Sequence, residues 1–451
     1  MPHGIHPIAP DELDSLFGRF GERTAQPCAL AVSGGSDSTA LMVLFADWLA
    51  VSGKGPQSHV VLTVDHGLRL QSAVEARATG ARAGALGFRH AVLSWEGAKP
   101  DTSIQAAARR ARYRLMQGYM AARDLATLFT AHTLDDQAET VLMRLARGSG
   151  LDGLAAMAPL SELAVAGVAI PATLTVARPL LEVPKARLRV TLECRGIPWI
   201  EDPSNQHAGF ERTRLRAAGD TLESLGLTAD ALGLSARRLQ RARGALKRWV
   251  DDFRAPEAGR VVVDPCGVIA IDAAALRGLP AEIAVRVLSW AVAAAGGAEE
   301  PVPLAGVETM SEALPAGAAG AWTLARAKIA ASPERIVIER EPGREPAPAL
   351  TLEPGAKAVW DGRFLVTVGR RLRDAMEVRA LGMEGVREAR SAVGLPSGVS
   401  AAAMRALPGF WRAGRLVAAP NLQFWAEKEA CGALEATFLA LGNYNSRRSD
   451  E

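Results

Sequence analysis

The six residues Ser33-Gly34-Gly35-Ser36-Asp37-Ser38 constrain this chain more than any other feature. The short apolar run before them, Cys28-Ala29-Leu30-Ala31-Val32, has the length and unbroken hydrophobicity of a strand buried in a parallel sheet. Thr39-Ala40-Leu41-Met42-Val43-Leu44-Phe45 follows and reads as the start of a helix. Strand, glycine-rich turn and helix in that order make an anion site. The glycines let the backbone turn tightly, so several N–H groups point into one space. The helix N-terminus adds its unpaired donors and the positive end of its dipole. Ser33, Ser36 and Ser38 offer hydroxyls to the same space, and Asp37 offers a carboxylate able to hold a metal ion on phosphate oxygens. A Gly-Gly turn between strand and helix is common by itself. Three hydroxyls and a carboxylate in six residues exceed what a turn requires, and a pyrophosphate group is the guest they suit.

The loop is not of the Walker type, since it has no Gly-Lys-Ser/Thr and no lysine, and it is not Gly-x-Gly-x-x-Gly. It resembles the pyrophosphate loop of the N-type ATP pyrophosphatases, which split ATP between the α and β phosphates and leave AMP on a substrate oxygen.

From Cys28 to about residue 200, strands and helices alternate. Val60-Val61-Leu62-Thr63-Val64, Ala91-Val92-Leu93, Ala126-Thr127-Leu128-Phe129-Thr130-Ala131 and Leu174-Thr175-Val176 read as strands. Residues 72–86, 104–124, 134–147 and 184–195 read as helices. That alternation predicts an α/β fold with a doubly wound parallel sheet. Ligands of such sheets sit beyond the strand C-termini. The unusual residues follow strand ends: the loop after the first, Asp65-His66 after the second, His132 to Glu139 after the fourth. Residues 210–253 read as continuously helical and basic, with Arg237, Arg238, Arg241, Arg243, Lys247 and Arg248. Residues 339–348, rich in proline and charge, read as a linker to a small α+β domain with strands near Phe364-Leu365-Val366-Thr367-Val368 and Leu416-Val417-Ala418-Ala419. The expected organisation is a catalytic domain over 1–215, a helical or mixed domain over 216–345, a small domain over 350–442 and a disordered tail over 443–451.

At 451 residues two or three domains are expected. A net charge of +3 permits a nucleic-acid partner without demanding one. The cysteines Cys28, Cys194, Cys266 and Cys431 lie far apart with no Cys-x-x-Cys, which speaks against a zinc ribbon or a cysteine-bound cluster. The N-terminus lacks the charged start and apolar stretch of a signal peptide, and no apolar run reaches the roughly 18 residues of a membrane span. A cytoplasmic enzyme with no membrane partner is the expectation.

His132-Thr133-Leu134-Asp135-Asp136-Gln137-Ala138-Glu139-Thr140 is the second strong signal. On a helix Asp135 and Glu139 share a face, as do Asp136 and Glu139. Acids also suit a helix N-terminus simply through its dipole. The strand-end position favours a role, either holding Mg²⁺ on phosphates or gripping a base amine. Arg109, Arg112 and Tyr113 are candidates to line the cleft, or else form a solvated basic face. Asp202-Pro203-Ser204-Asn205 is turn chemistry. In Arg212-Thr213-Arg214-Leu215-Arg216 the arginines recur at period two and would point different ways on a helix.

Taken together, the loop, Val64-Asp65-His66-Gly67-Leu68-Arg69, the basic run ending at Tyr113, His132 to Thr140, Arg147-Gly148-Ser149-Gly150, Arg178-Pro179-Leu180-Leu181 and Glu201 to Asn205 stand in the order found in the tRNA(Ile)-lysidine synthetase family. The chain resembles that family over roughly its first half. The resemblance implies that ATP adenylates the cytidine at the first position of the CAU anticodon of an isoleucine tRNA, and that L-lysine then displaces AMP. It implies ATP and Mg²⁺ as cofactors and a monomer or homodimer. It assigns Ser33, Gly34, Gly35, Ser36, Asp37, Ser38 and His66 to ATP, and Asp37, Asp135 and Glu139 to the metal. Asp37, Asp136, Arg112 and Arg212 fall to catalysis, the arginines contacting the target nucleotide. It makes the middle domain tRNA-binding. Thr213 departs from the asparagine usual after the arginine. The C-terminal part matches only through Val378-Arg379-Ala380-Leu381-Gly382 and Pro408-Gly409-Phe410-Trp411.

Three rivals remain. A tRNA thiolase of the same loop type usually needs a catalytic cysteine pair or a cluster. An amide-forming synthetase fed by glutamine needs a glutaminase domain. An inactive RNA-binding module would have no use for Asp37, Asp135, Asp136 and Glu139.

Overall fold

The computed structural model describes residues 5–67, 71–97, 99, 104–164, 173–201, 211–297, 302–314, 319–343, 347–394 and 396–440. Leu68-Arg69, the turn from Asp202 to Asn205 and the tail 443–451 lie outside them. The chain forms two units that meet in sequence at residues 243 and 244.

The first unit runs α1 (Leu13–Phe17), α2 (Gly21–Thr24), β1 (Ala29–Ala31), α3 (Ser36–Val51), β2 (Val60–Asp65), α4 (Ser72–Ala85), β3 (Arg89–Ser94), α5 (Ile104–Ala121) and β4 (Thr127–Phe129). It continues through α6 (Leu134–Ala146), α7 (Leu151–Leu154), β5 (Leu160–Ala164), β6 (Thr173–Ala177), α8 (Lys185–Cys194), α9 (Glu211–Ala217), α10 (Gly219–Ser224) and α11 (Ala229–Arg254), the last crossing into the second unit. Six strands form one sheet in the order β3-β2-β1-β4-β6-β5. The first five are parallel, as the alternation predicts. β5, which the sequence reading missed, is an antiparallel edge on β6.

The apolar strands are covered on both faces, and their side chains divide with period two. Leu30, Val61, Phe129 and Ala177 pack with Phe17, Phe45 and Trp48 and with Leu188 and Leu192 of α8. Ala29, Val60, Leu62, Leu128 and Val176 pack against Tyr113, Met116 and Met120 of α5. α3 is apolar nearly all round because it is enclosed by α1, α8 and the sheet. The chain leaves β1 toward β2 on one side and has β4 on the other, so the strand order reverses between β1 and β4. A crevice forms outside the carboxyl ends of strands at such a point.

Residues 211–254 are not one helix, contrary to expectation. α9 and α10 part at Ala218, and α10 ends in a Schellman closure. Gly226 there takes φ +79°, its N–H donates to Glu223 O at 2.9 Å, and the Leu227 N–H donates to Leu222 O at 2.9 Å.

The second unit adds β7 (Val261–Val263), β8 (Ile269–Asp272), α12 (Ala273–Arg277), α13 (Ala281–Gly296), α14 (Leu304–Ala313), β9 (Gly320–Leu324), β10 (Ala327–Ala331) and β11 (Arg335–Arg340). Its C-terminal part holds β12 (Leu350–Leu352), β13 (Lys357–Trp360), β14 (Phe364–Val368), β15 (Met376–Ala380), α15 (Gly382–Ala392), α16 (Ala401–Arg405), β16 (Pro408–Arg412), β17 (Arg415–Ala419), β18 (Phe424–Trp425) and β19 (Leu434–Phe438). The sheets are β7-β8-β11-β10-β9, β12-β15-β16-β17-β18 and β13-β14-β19. The expected linker is displaced. Glu339 and Arg340 close β11 and are buried, and Arg340 Nε lies 3.0 Å from Asp361 Oδ2 while Arg363 Nε reaches the same oxygen at 2.9 Å. Their charges mark a buried pair network, not a solvated connection. No described helix is long and apolar enough to cross a membrane.

His59 gives the sheet end a pH dependence. The Cys28 N–H donates to His59 Nδ1 at 3.3 Å, and the ring stands edge-on to Phe45 at 5.3 Å. Burial, then the fields of Lys54 and Arg89, push its pKa down to about 4. The folded protein keeps this imidazole neutral while the unfolded chain protonates it near pH 6.5. Stability from this group is therefore complete above about pH 6.5 and lost as pH falls toward 4. Melting temperatures between pH 7 and pH 4.5 are expected to fall with acid, and to fall less steeply in His59→Gln. An unchanged slope in the variant contradicts the assignment.

Candidate active site

The loop between β1 and α3 lies where the strand order reverses. Gly34 takes φ +91°. A Cβ there would stand 2.5 Å from Ile200 Cδ1 and 2.7 Å from Thr79 Oγ1, so glycine is required both by conformation and by space. Gly34 O accepts from the Ile200 N–H at 2.9 Å and from Thr39 Oγ1 at 3.1 Å. Gly35 is the extended N-cap of α3 and supplies no side-chain cap. The first turn of α3, at Ser36, Asp37 and Ser38, thus has no side-chain cap, the kind of helix end that can take an anion. The serines divide their work. Ser38 Oγ accepts from the Ser33 N–H at 3.2 Å and donates to Gly35 O at 3.1 Å, stitching the loop together. Ser36 Oγ donates to Asp37 Oδ1 at 3.0 Å.

The acids expected to share a helix face turn to separate partners. Asp136 Oδ2 accepts from the Thr133 N–H at 2.8 Å and the Thr133 hydroxyl at 2.9 Å, completing a capping box at the start of α6. Asp135 Oδ2 accepts from the Lys185 N–H at 2.7 Å. Glu139 Oε1 accepts from Arg216 Nε at 2.5 Å, with Arg212 Nε at 3.8 Å from Oε2. Asp37 Oδ2 meets Lys185 Nζ at 2.9 Å. Among the described residues no three His, Cys, Asp or Glu side chains gather in a metal-binding group.

Burial raises the Glu139 carboxyl despite Arg216. Burial acts the same way on Asp136, but the Thr133 donors and the charge of Arg212 oppose it, and that carboxyl lies below the usual range. His132 Nδ1 stands 3.0 Å from Thr130 Oγ1. Burial, with the charges of Arg178, Arg109 and Arg212, pushes the His132 imidazole far down, so it is neutral. His66 Nε2 lies 3.5 Å from Arg112 Nη2, and burial followed by Arg112 brings its pKa to about 4. Arg178 is fully buried, with Nη1 donating to Ala158 O at 2.9 Å and Ser161 Oγ at 2.8 Å. The cleft therefore offers an uncapped helix N-terminus, permanently charged arginines and two neutral imidazoles, a set that suits a polyanion beside a neutral heterocycle.

A PP-loop domain family matches residues 8–218. A tRNA(Ile)-lysidine synthase from Rhodopseudomonas palustris is 44% identical over 351 residues, 75% of this chain and 96% of the relative. The protein of that name from Bradyrhizobium diazoefficiens is 41% identical over 75% of this chain and 96% of its own length. The one from Ruegeria pomeroyi is 36% identical over 91% of this chain and 92% of its own. The chain belongs to the tRNA(Ile)-lysidine synthase family. As a PP-loop member of that family it is an ATP-using enzyme.

Lys185 escaped the sequence reading, and Arg216, named there in the run from Arg212, has no partner assigned by it. Lys185 joins Asp37 and Asp135, and Arg216 holds Glu139. A signal for Lys185 existed: a lysine in the first turn of a helix opposes the dipole and needs acidic partners. Arg212 and Arg216, four apart on α9, share the face toward Glu139.

The two demands on Gly34 are separable by mutation. Gly53 also has positive φ, +68°, yet a Cβ there meets nothing within 4 Å. Gly53→Ala is expected to cost about 1–2 kcal/mol, the backbone penalty alone. Gly34→Ala is expected to cost more and to abolish ATP binding by calorimetry. Equal melting shifts in the two variants contradict the packing argument.

Proposed function

We propose that the protein ligates L-lysine to the cytidine at the first anticodon position of the CAU isoleucine tRNA, with ATP cleaved to AMP and pyrophosphate. The base carbonyl oxygen attacks the α phosphorus, and pyrophosphate leaves with the electron pair of the broken P–O bond. The lysine ε-amine then attacks the base carbon, loses a proton, and AMP departs with the former carbonyl oxygen. The product pairs with A instead of G. The observation that carries this reading is the uncapped α3 N-terminus where the strand order reverses between β1 and β4, with the neutral His66 and His132 following the carboxyl ends of β2 and β4 in the same sheet. Backbone donors already in place for the departing charge lower the barrier without reorganisation.

Ser33 to Ser38 hold the phosphates, and His66 lies beside the adenine and α-phosphate region. Arg112 and Arg212 contact the target nucleotide, and Asp136 orients the base. Mg²⁺ ordinarily takes one or two carboxylates together with substrate phosphates and waters. Asp37, part-exposed at the loop, fits that role best, because Asp135 and Glu139 are turned to Lys185 N–H and Arg216. The ion would supply charge neutralisation on the leaving phosphates. The cysteines give a thiolase reading no support: Cys28 and Cys266 are buried with thiols pushed well up, and Cys194 and Cys431 belong to different units.

Incubation with ATP, Mg²⁺, labelled lysine and bulk tRNA is expected to yield labelled lysidine on nucleoside analysis, with AMP and pyrophosphate released in equal amounts. ADP as the product overturns the reading. Asp37→Ala is expected to abolish incorporation with the melting curve intact, and full activity in it removes the loop from the mechanism.

A cavity of about 410 Å³ beside the start of α6 is lined by Gln137, Leu181, Arg237, Arg238, Gln240 and Arg241 among others. Arg237 is tied to Glu182 at 3.1 Å, so Arg238 and Arg241 are the better RNA phosphate contacts. The pair Arg238→Glu and Arg241→Glu is expected to weaken tRNA binding and to lower its salt slope by about 1 for each phosphate no longer neutralised. An unchanged slope assigns this face to solvent.

A further inference from the structure

β7 is an edge strand. It pairs with β8 on one side, and among the described residues no strand pairs with it on the other. Two bonds to β8 show which way its main chain points. The Asp272 N–H donates to Arg260 O at 2.8 Å, and the Asp264 N–H donates to Val268 O at 2.8 Å. Groups alternate along an antiparallel ladder, so Arg260, Val262 and Asp264 face β8 while the N–H and C=O of Val261 and Val263 point away from it. Side chains alternate too. Val261 is buried in one core cluster with Val250 and Phe253, whereas Val262 is 54% exposed and Val263 40%. An open edge of valines is a template for another strand, and proteins usually blunt such an edge.

The order of residues says which strand fits. Arg260-Val261-Val262-Val263-Asp264 carries opposite charges at its ends and is its own complement when reversed. A second copy laid antiparallel, with the two-fold axis at Val262, sets Val261 opposite the partner's Val263 and Arg260 opposite the partner's Asp264. The outward-pointing residues then exchange N–H···O bonds on both sides of the axis. The neighbouring registers fail. Sliding one way puts Val263 opposite the partner's Gly259, a residue whose φ of +64° takes it out of the strand. Sliding the other way puts Val261 opposite the partner's Pro265, which has no N–H to give. Among the described residues neither charged end forms an ion pair within its own chain. The Arg260 guanidinium lies over the Phe253 ring at 5.6 Å, and Asp264 Oδ1 accepts from the Cys266 N–H at 2.7 Å.

We propose that β7 is the seam of a homodimer, in which two copies pair this strand antiparallel about Val262 and join their five-stranded sheets into one. The contact is isologous, so each end of the seam carries one pairing of Arg260 with the partner's Asp264. So short a strand covers little area, which puts the dimer among the weak, concentration-dependent ones. The seam lies in the second unit and uses no residue of the candidate active site, so it is independent of the ligation reading.

Sedimentation velocity on the full chain, from about 2 to 200 µM, reads the association by mass action. Wild type is expected to pass from one chain to two across that range. Arg260→Glu sets acid against acid at both ends, and Asp264→Lys sets base against base. Each is expected to weaken association about 10-fold or more. Mixed in equal amounts, the two variants again set opposite charges at both ends, and the affinity is expected to return to within about 3-fold of wild type. Val263→Pro removes an outward N–H at an edge position that accepts proline, and is expected to abolish association while the melting temperature is kept. Asp264→Lys also gives up the bond to Cys266, and the mixture separates that loss from the charge, because a merely damaged strand is not mended by mixing. Wild type that stays a single chain at about 200 µM overturns the proposal. So does a charge variant that associates as tightly as wild type, or a mixture that associates no better than its parts.

Discussion

The uncapped N-terminus of α3 is the constraint around which the first unit is organised. Ser36 and Ser38 are buried, yet no side chain caps the helix. Donors left unpaired in a protein interior cost free energy, which the fold accepts only where a guest supplies the acceptors. Everything adjacent to the turn is used to hold it rigid. Gly34 O is taken by Ile200 and Thr39, and Ser38 bridges Ser33 and Gly35. The loop thus offers donors whose direction is already fixed, in contrast to flexible side chains that must be ordered on binding.

Charge in the crevice follows a second rule. The imidazoles that face it are kept neutral by burial and by nearby arginines, so positive potential comes from guanidinium groups that do not titrate. Each acid is meanwhile matched by its own donor: Asp37 by Lys185, Glu139 by Arg216, Asp136 by Thr133. The crevice is a set of local pairs and not an open field of charge.

Much of this was legible in the amino-acid order. The runs at Cys28 to Val32 and Val60 to Val64 are apolar without alternation because helices cover both faces of the sheet, and that pattern admits few other folds. The loop was legible because glycine, serine and acid serve one local geometry. What stayed hidden depends on partners distant in sequence. Spacing alone placed Asp135 and Glu139 on one face, but Lys185 and Arg216, 50 and 77 residues away from them, decide where each carboxylate turns. Glu339 and Arg340 read as solvated because their partners are distant in sequence: Lys328 of β10 for Glu339, and Asp361 in the turn between β13 and β14 for Arg340. β5 escaped because an edge strand has only β6 as a partner and lacks the unbroken apolar run of the inner strands.

The long-range ties also say when the site can exist. The turn at Gly34 is closed by the Ile200 N–H, the acid of the loop by Lys185, and the acid of α6 by Arg216. These contacts join the start of the first unit to its last third, so closing them carries the entropy of long loops. The strand β1 can form early against β2, its near neighbour in sequence, but the loop that follows it lacks its packing partner until α8 and Ile200 have docked. Anion-binding geometry is therefore a property of the completed unit and not of the local motif, and a fragment ending before Lys185 would carry the six loop residues without the cradle they build.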